Sequence, residues 1–299
     1  MPVRGARPGG TVLIMRCVRS DDLATFAATV LPWLEREPVL NNTLCTVIGE
    51  RAGGERPAEP GCLWAYVVDD GGDLRGVAIR TPPHDLLVGA LSPEAAEALA
   101  DGLADADVPG VRGPTDGARA FVAAWRARRG VDATSLDDQR MYRIDAVTPP
   151  IGVPGRLRAA AGDDVALVAR WGHAFSVEAA QPRPLVEQDV EDARRWIAAG
   201  GVWLWEVDGA PVSIACDRPP VAGVPRISLV YTPPEQRRRG YAGACVAALS
   251  QLLLDRGAPA CMLYTDLANP TSNSVYQKIG YRPFADAEHW AFTEAPQRI

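Results

Sequence analysis

The chain has 299 residues, 47% hydrophobic and 23% charged, with a formal net charge of −6. These are the proportions of an ordinary soluble globular protein, long for one domain and comfortable for two. The acidic balance argues against a nucleic-acid partner and suits a cationic amine, and no apolar run approaches the roughly 20 residues that span a bilayer.

Residues 1–10 carry arginines, but the apolar stretch at 12–15 is too short for a signal peptide, so the default location is cytoplasmic. In the first half, helices are expected at 21–35, 93–104 and 116–129, with strands at 62–68 and 74–80 joined by a Gly-rich turn. Ser92-Pro93 supplies an N-cap followed by proline at the first helical position. Residues 147–155 hold three prolines and two glycines, which no regular element accommodates, so a linker is expected at 148–154 between domains 1–147 and 155–299. The second half reads as strand 155–158, helices 163–179 and 186–199, and a hairpin of 202–207 and 211–216 around Asp208-Gly209. Strand 226–232, a helix ending at Gly257, strand 260–265, helix 270–279 and a terminal strand near 290–293 complete the order. The sum is a mixed α/β layer with helices packed on a central sheet. The six cysteines form no Cys-x-x-Cys pair and no metal-like group with histidine, so buried free thiols and no metal are expected.

Two stretches carry chemistry. Ser228-Leu-Val-Tyr-Thr-Pro-Pro-Glu-Gln-Arg-Arg-Arg-Gly-Tyr-Ala-Gly243 reads as a strand that breaks at two prolines, turns through arginines and enters a helix at glycine. Such a turn leaves backbone N–H groups without partners at a helix N-terminus, a site for a pyrophosphate. The second stretch begins at Asn269, an N-cap, followed by Pro270 at the first helical position, and ends at Gly280. Along this short helix Asn269, Asn273 and Tyr276 share a face beside the apolar Val275 and Ile279.

The spacing Arg237-x-x-Gly240-x-Ala242 resembles the acyl-CoA loop of the GNAT N-acetyltransferase superfamily. Asn-x-x-Ser-Asn-x-x-Tyr-x-Lys-x-Gly-Tyr, ending at Tyr281, is similar to the motif that follows it there. The resemblance implies a mostly antiparallel mixed sheet with flanking helices (α/β, α+β) and acetyl-CoA as co-substrate. The order of elements in the first half loosely resembles a second, degenerate copy, in which residues 108–115 would hold the matching loop but lack its spacing. The resemblance also assigns cofactor contacts to Val230, Thr232, Arg237, Arg238, Arg239, Gly240, Tyr241, Ala242, Gly243, Asn269 and Asn273. It puts Tyr276 beside the CoA sulfur as proton donor. Strand 226–232 should splay from strand 260–265 because the proline pair interrupts pairing. The backbone near Val230 and Thr232 would then bind pantetheine, and an N–H near Val230 would hold the oxyanion.

The implied activity is acetyl transfer to a small-molecule primary amine by direct attack. The alternatives are an acyl-CoA sensor, another acyl group, or a protein amine. The general base is left among Glu206, Glu178, His173, Asp266 and water. Trp171, Phe175, Trp203 and Trp205 read as core ahead of an acceptor pocket.

Overall fold

In the computed structural model, which describes residues 14–178 and 186–294, the chain forms two compact units, each built from separate stretches. The first comprises residues 14–33, 48–136 and 288–294, and the second 34–47, 137–178 and 186–287. The N-terminal residues read as lacking a signal peptide lie outside the described residues, as does position 179 of the helix expected at 163–179. No helix among the described residues is long and apolar enough to cross a membrane.

One order of ten elements occurs twice. The first copy runs β1 (Met15–Arg19), α1 (Leu23–Leu34), α2 (Asn42–Ala52), β2 (Leu63–Asp69), β3 (Leu74–Arg80), β4 (Leu86–Val88), α3 (Pro93–Gly102), β5 (Gly110–Pro114), α4 (Thr115–Arg129) and β6 (Val131–Ile144). The second runs β7 (Arg156–Ala159), α5 (Val165–Glu178), α6 (Glu187–Ala198), β8 (Val202–Val207), β9 (Ala210–Val221), β10 (Val224–Tyr231), α7 (Tyr241–Asp255), β11 (Cys261–Asp266), α8 (Pro270–Lys278) and β12 (Arg282–Glu294). In the first unit β1 to β4 pair antiparallel in order and β4 pairs β5 in parallel. In the second, β7 to β10 pair antiparallel, β10 pairs β11 in parallel, and β11 pairs antiparallel with β6.

That last pairing explains where the units divide. Residues 139–144 of β6 follow the first copy in sequence but hydrogen-bond to β11, so the division falls at 136/137. The stretch 148–154 is irregular, as its prolines require, and lies within the second unit.

Two cores sandwich the second sheet. On one face Trp203, Trp205, Ile227 and Leu263 pack against Ala244, Cys245, Leu249 and Leu253 of α7. On the other, Val202, Leu204, Ile214 and Tyr231 meet Val168 and Ala169 of α5 and Ala193 of α6. The strict alternation along β8 sends its two tryptophans under α7, where their Nε1–H groups donate to Asp217 Oδ1 at 2.7 Å and to the Pro154 carbonyl at 2.9 Å. Trp171 packs instead on the opposite face, 6.3 Å from the Tyr231 ring, and Phe175 is exposed. These four aromatics are therefore not one pocket.

Candidate active site

β10 is the strand that makes the site. It pairs with β11 only at Arg226–Met262 and Ile227–Leu263. Its pairing with β9 skips between Ser228–Cys216 and Tyr231–Ile214, and Leu229 sits in that gap with φ +48°. This is a β-bulge, which bends a strand and interrupts its ladder. The splay expected from the proline pair is present, but its cause lies upstream of Pro233. The bulge turns the strand before the prolines end it, and Val230 is left without a partner in either ladder.

After Tyr231 the chain makes a single 3₁₀ turn at Pro234–Gln236, then passes through Arg238 at φ +63° and Gly240 at φ +82° into α7. Gly240 is the N-cap and offers no side chain to the helix end. The first bond of the helix is Ala244 N–H to Gly240 O at 3.0 Å, so the N–H groups of Tyr241, Ala242 and Gly243 precede the first helical acceptor. Three donors without an intrahelical acceptor and the positive end of the helix dipole thus face the loop. A Cβ on Gly240 would come within 3.0 Å of Val153 Cγ2 and would hold a left-handed backbone besides. Gly243 instead packs on α8, where a Cβ would meet Val275 at 3.3 Å. The Tyr241 ring belongs to the core under α7.

The three arginines differ. Arg237 folds back along β10: its Nε donates to the Thr232 carbonyl at 2.8 Å, its Nη2 pairs with Glu178 at 2.6 Å, and it stands over the Tyr231 ring. Its guanidinium is thus already engaged by protein groups. Arg239 reaches the Glu235 carbonyl at 3.4 Å. Arg238 makes no side-chain hydrogen bond or ion pair among the described residues and is exposed. Thr232 Oγ1 lies 2.9 Å from Ser213 Oγ, so its hydroxyl also has a protein partner.

On α8, Asn269 caps the helix by accepting from Ser272 N–H at 3.0 Å. Asn273 is fully engaged as a donor: Nδ2 reaches the Asp266 and Asn269 carbonyls at 2.9 and 2.8 Å, while Oδ1 accepts from Tyr142 Oη at 3.0 Å. It therefore positions α8 against β11 and β6, with both of its Nδ2 hydrogens already used. Tyr276 is buried, 8% exposed, between Tyr142 and Tyr281, with ring centroids 6.4 and 6.0 Å away. Burial pushes its phenol well above the ordinary tyrosine value. Among the described residues its hydroxyl makes no hydrogen bond.

The base candidates also separate. Glu206 is clamped by Arg156 at 2.9 Å and Arg158 at 2.7 Å, and hydrogen bonds from these guanidiniums hold its carboxyl below the usual range. Glu178 pairs with Arg237. Asp266 accepts from Ala268 N–H at 2.7 Å and shapes the turn into α8. His173, half-buried on α5, keeps Nδ1 inaccessible and without a partner among the described residues.

In the first unit the equivalent loop joins β4 to α3, at residues 89–92, and not at 108–115, which forms β5. There Ser92 Oγ accepts from Ala95 N–H at 3.2 Å and caps the helix itself. A side chain on Gly117 would collide with the Gly89 carbonyl, and one on Gly113 with the Val88 carbonyl. Backbone closes on backbone where the second unit opens.

The FR47-like protein family matches residues 216–291, the stretch from β9 through β12 that frames the splay. Mycothiol acetyltransferase of Nocardia farcinica is 26% identical over 259 residues, 75% of this chain and 81% of that protein. An acetyltransferase of the GNAT family from Colwellia psychrerythraea superposes with a TM-score of 0.64 at 11% identity, covering 93% of this chain and all of the other. A tandem GNAT protein of the clavulanic acid biosynthesis pathway gives 0.57 at 15% identity, over 95% of this chain and all of that one. With the uncapped helix, the bulged strand and the repeated element order, these likenesses support one assignment, an N-acetyltransferase of the GNAT superfamily.

Proposed function

We propose that the second unit binds acetyl-CoA and transfers the acetyl group to a primary amine on a small molecule by direct attack. The observation that carries this reading is the Tyr276 hydroxyl, unpartnered on a buried ring in a unit whose parallel strand pair parts at a bulge. The N–H groups of Tyr241, Ala242 and Gly243 would hold the pyrophosphate, and Arg238 is the guanidinium free to pair with a phosphate. The backbone of Val230, unpaired in both ladders, suits pantetheine and the oxyanion of the tetrahedral intermediate.

In the transfer, the amine nitrogen bonds to the thioester carbonyl carbon and the C–S bond breaks as the intermediate collapses. The amine's surplus proton passes to His173 or to water, since the three carboxylates are committed elsewhere. Even at ordinary values, a phenol near 10 gives its proton to a thiolate whose thiol titrates near 8.5 only uphill, by roughly 2 kcal/mol. Burial raises the Tyr276 phenol further, so Tyr276 serves as a hydrogen-bond donor to the leaving sulfur and solvent supplies its proton. A thiolate released into the same apolar setting is destabilised too, which strengthens that bond. The name of the Nocardia relative supports a small acceptor over a protein amine.

Thermal shift tests the first step, because ligand at about 100 times its dissociation constant adds about 2.7 kcal/mol of stability. Thiol release from acetyl-CoA across a panel of amines tests the second. A shift without release from any amine would leave a sensor, and no shift would end the proposal.

A further inference from the structure

Asn42, at the start of α2 in the second unit, is 0% exposed, yet neither its Nδ2 nor its Oδ1 has a partner among the described residues. Its neighbour Asn41, 6% exposed, donates to the Leu34 carbonyl at 3.0 Å but leaves Oδ1 unpaired. An unsatisfied buried polar atom is destabilising, and native proteins rarely keep several together without a water or a ligand to meet them.

The residue that follows this pair reaches both strands that part. Thr43 Oγ1 lies 3.2 Å from Tyr264 Oη on β11 and accepts from Arg226 Nη1 on β10 at 3.1 Å. Val39 and Leu40 pack with Val224, Met262 and Met141, which places this segment over the sheet face opposite α7. The β10–β11 register pairs Arg226 with Met262 and Ile227 with Leu263, so the next step puts Ser228 level with Tyr264. Ser228 Oγ is a third kind of orphan, buried and without a partner. It immediately precedes the bulge and stands two residues before Val230.

We infer that Asn41, Asn42, Thr43, Ser228 and Tyr264 form the acceptor subsite, which recognises hydroxyl or carboxamide groups on the non-reacting part of the amine. This rests on the acetyl-transfer reading. A primary amide that must both donate and accept matches groups that do both, as hydroxyls and carboxamides do, and a hydrocarbon chain would leave the orphaned atoms of Asn41, Asn42 and Ser228 unpaired. Sites built to hydrogen-bond a substrate reject analogues that lack the group far more strongly than apolar pockets reject a missing methylene.

The test uses the full chain, saturating acetyl-CoA and two sets of probes: glucosamine, serinol and glycinamide against cyclohexylamine and isobutylamine. At least one polar amine is expected to exceed both hydrocarbons by about 100-fold in kcat/KM. Asn42→Leu, similar in volume and without polar atoms, is expected to cut that ratio at least tenfold. Its Tm should be unchanged or higher, since an orphaned amide is replaced by hydrocarbon, and its thermal shift with acetyl-CoA should be unchanged. Equal rates for the two sets, failure of every polar probe, or an undiminished ratio in Asn42→Leu would overturn the inference and leave an ordered water as the partner of these atoms. Absence of an acetyl-CoA shift in the unmodified chain would sink the acetyl-transfer reading itself, and this subsite with it.

Discussion

Arg237 Nη2 lies 2.6 Å from Glu178 Oε1 while its Nε holds the Thr232 carbonyl, so the first arginine of the run braces the end of β10 instead of facing solvent. Arg238, one residue on, is turned away by its positive φ and has no such partner among the described residues. The expected outcome is a division of labour. Arg238→Ala should weaken CoA binding about tenfold, the scale of one hydrogen bond to a charged group, and flatten its salt dependence. Arg237→Ala should chiefly lower Tm, and modestly, because both members of the pair are roughly half exposed. Calorimetric titration of each variant with CoA at two ionic strengths decides it; equal losses from both would refute the distinction.

Gly240 combines φ +82° with a neighbour 3.0 Å from where a Cβ would stand. A left-handed L-residue costs about 1–2 kcal/mol, and the Val153 contact adds to it. Gly240→Ala should therefore lower stability by roughly that amount and abolish the thermal shift given by acetyl-CoA, whereas Gly257→Ala, also at positive φ but in open space, should lower stability alone. A Gly240→Ala protein that still binds acetyl-CoA normally would show that the loop is not the phosphate cradle.

Much of this was legible in the chain. Asp208-Gly209, Ser92-Pro93 and Asn269-Pro270 each marked an element end by local chemistry, and each sits there in the fold. What local pattern could not give were features decided by distant partners. β6 runs Val131–Ile144 with few consecutive apolar residues, and it is a strand because β11 supplies its hydrogen bonds. β9 continues beyond the expected 211–216 through Pro219 and Pro220 to a second hairpin at Ala222-Gly223 with φ +44° and +82°. In the second unit, the turn into α7 at Gly240 and the parting of β10 from β11 were readable. The engagement of Arg237 and Asn273 was not, because their partners Glu178 and Tyr142 lie 59 and 131 residues away. Asn42 gave no signal at all, since only burial makes an asparagine conspicuous.

Tyr276→Phe should reduce kcat on the order of 10²-fold with little change in Kd for acetyl-CoA, because the lost hydroxyl acts on the leaving sulfur. Its raised phenol remains protonated to well above pH 10, so the donor is present throughout the working range. Any alkaline fall in rate below pH 10 should therefore persist unchanged in shape in the variant. Unaltered turnover in Tyr276→Phe would remove the residue from the mechanism.

Glu206 offers the opposite case. Arg156 and Arg158 hold its carboxyl below the ordinary value near 4.3. A depressed carboxylate contributes stability that is present above the unfolded value and is lost as pH falls through the folded one, so its effect on Tm appears only in acid. It has no proton to exchange near neutrality. Glu206→Gln should leave the acidic limb of the pH–rate profile where it is and make stability less sensitive to acid, while His173→Gln should lower kcat with little change in Kd for acetyl-CoA. If Glu206→Gln lowers kcat and His173→Gln does not, the base assignment between them is reversed.

Cofactor stoichiometry tests the asymmetry of the two units. The α3 N-terminus is capped by its own Ser92, and the Gly89 and Val88 carbonyls crowd Gly117 and Gly113, so neither the donors nor the gap that a CoA tail needs is present there. Titration of the full chain should give one acetyl-CoA per chain, and Gly240→Ala should reduce that number to zero rather than from two to one. A second equivalent that survives Gly240→Ala would place a working site in the first unit despite its closed backbone.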